Sequence, residues 1–329
     1  MDRSTKRRQF LSLLSGTAAA AALPGRARAQ GVPTGNVRLL VPYPAGGGSD
    51  VMARIIAEKL KERTGANIVV ENKAGASGLI AGEALKNSPP DGTVIMFAPS
   101  AGTAMQKVTR KTMPFDLEKD LTTITMSGTV PTVFVVSPTT GARTLAEYVE
   151  WLKKNPKKHS FGTTAMGSST HFFGVLLGKA VGIPLEPVAY KGAAPIIADL
   201  SAGHAPAGCG GLTDFLTHHR ADKLRIVAIS APKRSVAAPD LPTIGELGYP
   251  KLSSEGWYGF YGPGKMSPAL VNAWNKELVA VLDTPDMKKK LLEVGLEVVT
   301  STPSAFAERQ ARDIVTWTAN MKEVGYQPE

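Results

Sequence analysis

The stretch VPYPAGGGSDVMARIIAEKL, Val41–Leu60, holds an apolar run ending at a proline, three consecutive glycines and an amphipathic segment. Val37–Tyr43 predicts a buried strand, stopped by Pro42 and Pro44. From Asp50 to about Arg63 the spacing of Met52, Ile55, Ile56 and Leu60 predicts a helix with one apolar face. Ser49 or Asp50 can cap its start, and Gly65 stands where a left-handed terminal residue belongs. Gly46, Gly47 and Gly48 lie between strand and helix. Without side chains, their N–H groups can approach a ligand closely, at a helix end that favours anions. A nucleotide phosphate is disfavoured, because Ala45–Asp50 is AGGGSD rather than a dinucleotide fingerprint, and no P-loop motif occurs. A bare tight turn is the alternative, and Asp50 reads as a cap rather than a ligand residue.

Outward from this junction the chain alternates. Ile68–Glu71 and Thr93–Ala98 predict two more strands, with a helix from about Ser77 and a turn at Pro89–Gly92. A second unit follows, with strands expected at Thr132–Val136, Ser160–Thr164, Glu186–Tyr190 and Leu224–Ser230. Its helices are expected at Thr144–Lys154, Thr170–Val181 and Ala193–Ala202. The tail predicts an aromatic extended segment, Glu255–Pro263, then helices at Pro268–Leu282, about Asp286–Val294 and about Ser304–Val324. The expectation is an α/β protein of two units, each a mostly parallel sheet flanked by helices, with a ligand cleft between them.

Two further strand-to-helix junctions resemble the first. In GTTAMGSSTHFF (Gly162–Phe173), Ser168, Ser169, Thr170 and backbone amides can cradle a carboxylate. In VAYKGAAP (Val188–Pro195), Tyr190 offers a hydroxyl, Lys191 a charge and Gly192 close backbone approach. The competing chemistry is a hydrolase using Ser168 and His171, but G-x-S-x-G is absent. His218-His219 lack a carboxylate partner at ligand spacing, so no metal is expected, and no cofactor motif occurs. The single cysteine, Cys209, allows no internal disulfide and reads as a small buried residue.

The first 29 residues carry a basic start, an apolar stretch from Phe10 to Leu23, and Ala27-Arg28-Ala29. This is the pattern of an export signal cleaved near Ala29, and Arg7-Arg8 resembles a twin-arginine signal. The stretch is short for a membrane span. Those residues contribute six basic side chains against Asp2, a net +5, so the chain's formal +10 falls to +5 after cleavage. The remaining charge is scattered, which argues against nucleic acid.

Several short segments together resemble the periplasmic solute-binding proteins of the tripartite tricarboxylate transporter family, the Bug-type receptors. They are VPYPAGGGSD (Val41–Asp50), VENKAGASG (Val70–Gly78), PDG (Pro90–Gly92), GSSTH (Gly167–His171), YKG (Tyr190–Gly192), LPTIGELG (Leu241–Gly248) and GWYG (Gly256–Gly259). The resemblance implies a two-lobed type II periplasmic-binding fold, with lobes at 30–130 plus 251–329 and at 131–250. It implies a small organic carboxylate as ligand, held by Tyr43, Ala45, Gly46, Gly47 and Gly48 of the first loop. The second loop would contribute Thr163, Thr164, Ala165, Ser168 and Thr170, with Tyr190, Ser100 and Asp214 as further contacts. A monomeric, non-enzymatic periplasmic receptor serving inner-membrane transporter subunits is expected, not itself embedded in the membrane. A sensor for a regulatory partner is a third possibility. Lys73-Ala74, Met166 and Gly208–Leu212 (GCGGL) depart from the family's usual residues.

Overall fold

A computed structural model describes residues 31–323 and 326–328, so the expected export signal lies outside the described residues. Strand β1 (Asn36–Val41) is flanked in parallel by β2 (Asn67–Asn72) and β3 (Val94–Pro99). Helix α1 (Gly48–Thr64) joins β1 to β2, and α2 (Leu79–Lys86) leads into β3. Strand alternation sorts the side chains. Leu39 and Val41 pack with Met52, Ile56 and Leu60 of α1, while Leu40 joins Leu79 and Leu85 of α2 on the other face. Both faces are thereby covered, as parallel strands require. Gly65 takes φ 73° and ends α1 by donating to the Lys61 carbonyl, as the sequence predicts.

After the short helix α3 (Ala104–Thr109) comes a sixteen-residue strand, β4 (Leu121–Val136). The sequence predicts only its last five residues as strand. Residues 121–131 run antiparallel to β9 (Glu255–Pro263), which is itself antiparallel to β3. From Thr132 onward β4 changes partners and pairs with β7 (Ala207–Gly211) and β8 (Arg225–Ile229). Pro131 stands at that changeover, where a missing N–H is tolerated, and this is why its neighbourhood resembles a boundary. Beyond β7 lie β5 (Ser160–Thr163) and β6 (Glu186–Ala189), all three parallel. Strands β1, β2 and β3 run in one direction and β5, β6, β7 and β8 share another, so each group is mostly parallel, with β9 antiparallel in the first and β4 in the second.

Four helices cover the second group: α4 (Leu145–Lys154), α5 (Ser169–Ala180), α6 (Ala193–Ala202) and α7 (Leu212–Arg220). Thr144 caps α4 by accepting the Glu147 amide proton at 3.2 Å. The apolar stripe of Leu145, Tyr148 and Leu152 packs on Phe134, Phe161 and Cys209. The tail then returns through α8 (Pro268–Leu282), α9 (Pro285–Glu293), β10 (Glu297–Val298, paired to β4) and α10 (Pro303–Glu323). Trp274 of α8 is fully buried in the core cluster that contains β1, and its indole N–H donates to the Gly92 carbonyl at 3.2 Å. Phe306 of α10 packs edge-on to Trp257, ring centroids 5.0 Å apart. Among the described residues, no helix is long and apolar enough to cross a membrane.

Candidate functional site: a cavity at four helix N-termini

The loops leaving β1, β5, β6 and β7 each lead straight into a helix, and those four helices begin around one cavity of about 40 Å³. Its wall takes Gly47 and Ser49 from the start of α1, Ser169 and Thr170 from α5, Gly192 and Ala193 from α6, and Gly211 and Asp214 from α7. The N-cap residues Gly47, Ser168 and Gly192 make no side-chain capping bond. First-turn N–H groups have no acceptor within their own helix. Tyr43, Ser100, Ala101, Thr132, Thr164 and Tyr258 complete much of the remaining wall. Among the described residues, no lysine, arginine or histidine lines the cavity. Attraction for an anion there must come from helix dipoles and amide donors, each helix end equivalent to roughly half a unit charge, and it acts beside the Asp214 carboxyl in the same wall.

Two glycines let the chain converge there. A Cβ on Gly48 would lie 2.7 Å from the Thr213 carbonyl carbon and oxygen. A Cβ on Gly192, whose φ is +93°, would lie 2.8 Å from Cδ of Pro44. The β1–α1 loop is thus pressed against both α6 and α7.

Asp214 organises this contact. Its Oδ1 accepts the Gly48 amide proton and its Oδ2 the Gly211 amide proton, both at 3.0 Å. Burial pushes its carboxyl up to about 6, although both amide hydrogen bonds pull it down. The Gly48 donor is therefore already taken by the protein's own carboxylate. Asp50 is not the N-cap of α1 but its third residue. It accepts protons from Gly46 N and Asn72 Nδ2 at 3.0 Å and pairs with Arg54 at 2.9 Å. Burial raises its carboxyl, but the bonds from Arg54, Gly46 and Asn72 prevail and hold it below the usual range.

Hydroxyls fill the remaining polar surface. Ser49 Oγ and the Tyr258 hydroxyl lie 2.9 Å apart. Ser100 Oγ accepts the Trp257 amide proton at 3.3 Å, which leaves its own O–H to donate. Thr170 Oγ1 lies 3.0 Å from Thr163, 3.2 Å from Thr164 and 2.8 Å from Ser168 hydroxyls.

Of the residues the sequence nominates, Tyr43, Gly47, Ser100, Thr164, Thr170 and Asp214 line the cavity. Gly48, Thr163, Ala165 and Ser168 are buried but do not line it. Ala45 and Gly46 are exposed. The Tyr190 hydroxyl turns to Asp199 Oδ2 at 2.6 Å, and burial together with that contact pushes it up to about 12. Ser49, Thr132, Gly211, Gly256 and Tyr258 were not nominated. Tyr258 and Gly256 sit in the GWYG segment, a visible signal, whereas Thr132 reaches the cavity only through the partner change in β4. The Ser168 and His171 pair is engaged by neighbouring main chain: Ser168 donates to the Ala165 carbonyl at 2.6 Å, and His171 Nδ1 accepts the Gly167 amide proton at 3.2 Å. A larger hollow of about 720 Å³ lies on the flank of α4, with Glu147, Glu150 and Lys154 in its wall, and none of the residues the sequence nominates lines it.

Residues 52–325 match the tripartite tricarboxylate transporter family receptors. The chain belongs to that family. It is 29% identical over 318 residues to protein BugT of Bordetella pertussis, spanning 96% of this chain and 98% of BugT. Like this receptor, the periplasmic binding protein BugD has the same fold: TM-score 0.85 and 28% identity, covering 90% of this chain and 100% of BugD. A structure of R. palustris Rpa4515 with adipate is similar at TM-score 0.85 and 27% identity, covering 90% of this chain and 99% of that one. The receptor thus has the α/β fold of periplasmic binding proteins.

Proposed function

We propose that this protein is a periplasmic receptor that captures a small organic carboxylate in the cavity and delivers it to a membrane transporter of the tripartite tricarboxylate type. The observation that carries this is the convergence of four helix N-termini on one cavity with no cationic side chain in its wall. Such a cavity suits a carboxylate, which accepts several N–H and O–H donors at once. Adipate in the similar Rpa4515 supports the ligand class. The protein is a monomeric binder rather than an enzyme: the cavity presents donors, and Ser168, the candidate nucleophile, does not line it.

Capture works by closure of two lobes, 30–130 plus 251–329 against 131–250. In support, β4 changes partners after Pro131, and β9 of the returning chain pairs with the first part of β4, residues 121–131. Bonds across this division include Gly48 N to Asp214 and Thr109 Oγ1 to the Gly167 carbonyl at 2.7 Å. A ligand touching both sides favours the closed arrangement over the open one.

Heat denaturation with adipate, malate, succinate and benzoate tests the function. At least one acid should raise the unfolding midpoint as its concentration rises, with a stabilisation of about 2.7 kcal/mol at a hundredfold excess over Kd and no product formed. Product release that disappears in Ser168→Ala would make the protein a hydrolase instead.

A further inference from the structure

The cavity of about 40 Å³ holds roughly three water-sized atoms, enough for one carboxylate group and little else. The rest of any ligand must lie outside it. A groove of about 690 Å³ adjoins the cavity. The two share Ser169, and the consecutive residues Glu255 and Gly256 line the groove and the cavity respectively. One groove wall is a single face of α5, where Phe173 and Leu176 follow Ser169 by four and seven positions. The opposite wall is a face of α10 carrying Arg309, Asp313, Trp317 and Met321. The charges on that face are matched: Arg309 Nε lies 3.0 Å from both Asp313 carboxylate oxygens, and Asp313 Oδ2 accepts the Trp257 indole proton at 2.7 Å. The groove wall also holds Lys251 and Glu255, and its apolar and aromatic surface comes from Phe173, Leu176, Trp317 and Met321.

Resting on the receptor function proposed above, we propose that the ligand is an elongated acid. Its carboxylate occupies the cavity behind Ser169, and its alkyl or arylalkyl body lies in the groove between α5 and α10. This sets it apart from short hydroxy-dicarboxylates, which are too short to cover the apolar surface of the groove. Each buried methylene should tighten binding about three- to fourfold.

Calorimetric titration of the purified protein with butanoate, hexanoate, octanoate, 4-phenylbutanoate and malate tests this. Affinity should rise along the alkanoates, and 4-phenylbutanoate should bind more tightly than malate. Leu176→Ala should flatten the rise. Thr316→Glu, at an exposed position on the groove wall, puts a charge there without disturbing the core and should flatten it further. Malate binding tightest, with no rise along the alkanoates, would overturn the elongated ligand and leave the carboxylate receptor standing. A rise that both variants preserve would remove the groove from the site. Failure of every acid to bind would overturn both proposals.

Discussion

Gly48→Ala should abolish acid binding and markedly lower the unfolding midpoint. The added methyl would sit 2.7 Å from the main-chain carbonyl of Thr213, and main chain at a helix start cannot rotate aside as a side chain can. Either α1 or α7 must shift, and the Gly48 amide must leave Asp214, whose Oδ1 it now holds at 3.0 Å. Overpacking typically costs about 1–3 kcal/mol, and losing a hydrogen bond to a carboxylate about 1.5–3 kcal/mol more. The neighbouring Gly47→Ala provides the contrast. Its methyl would meet nothing closer than 3.7 Å, so the fold should be unaffected. Yet Gly47 lines a cavity of about 40 Å³, and a methyl there takes space a carboxylate needs. Unfolding midpoints and titrations of both variants check this: Gly48→Ala should lose stability and binding together, Gly47→Ala binding alone. Wild-type stability in Gly48→Ala would show that α1 and α7 are not held together as described.

The second expected result concerns pH. The Asp214 carboxyl stands at about 6 in the folded protein, above its ordinary 3.8, because burial disfavours its charge. The folded state therefore binds this proton more tightly than the unfolded chain does. The associated stability is present below pH 3.8 and is lost as pH rises through 6, an effect of about 3 kcal/mol for a shift of this size. A bound carboxylate adds a negative charge beside Asp214 and raises its proton affinity further. Ligand and proton then bind together, so affinity for a carboxylate should fall by up to about tenfold per pH unit above 6. Asp214→Asn should bind with nearly constant affinity across this range. Titrations with adipate between pH 6 and 8, where the acid itself stays ionised, measure both slopes. Equal slopes in the two proteins would show that Asp214 does not take up the proton.

Much of this architecture is legible from residue pattern. The Val41–Asp50 junction, its partners after β5 and β6, and most helix limits follow from apolar spacing, capping residues and terminal glycines. What escaped was fixed by distant packing. Strand β7 is glycine-rich and has weak local preference for a strand. Its glycines are needed because a Cβ would lie 2.8 Å from Ile196 at Gly208 and 2.5 Å from Phe215 at Gly210. Helix α1 starts at Gly48 rather than Asp50 because Asp214, far away in sequence, takes the first amide. The same contact moved Gly48 from a ligand donor to a structural one. The family resemblance named Asp214 as a contact, but its bridging of two helix starts was visible only in three dimensions.

One charge decides the proposed function: a carboxylate held by helix N-termini without a cationic side chain. Calorimetric titration of an acid against its own primary amide, adipate against adipamide, tests it most directly. The two are alike in shape, but the amide lacks the negative charge that dipoles and N–H donors favour and presents N–H groups to other donors. Binding of adipate at least a hundredfold tighter than adipamide is expected near pH 6. Equal affinity for the two would contradict the anion site.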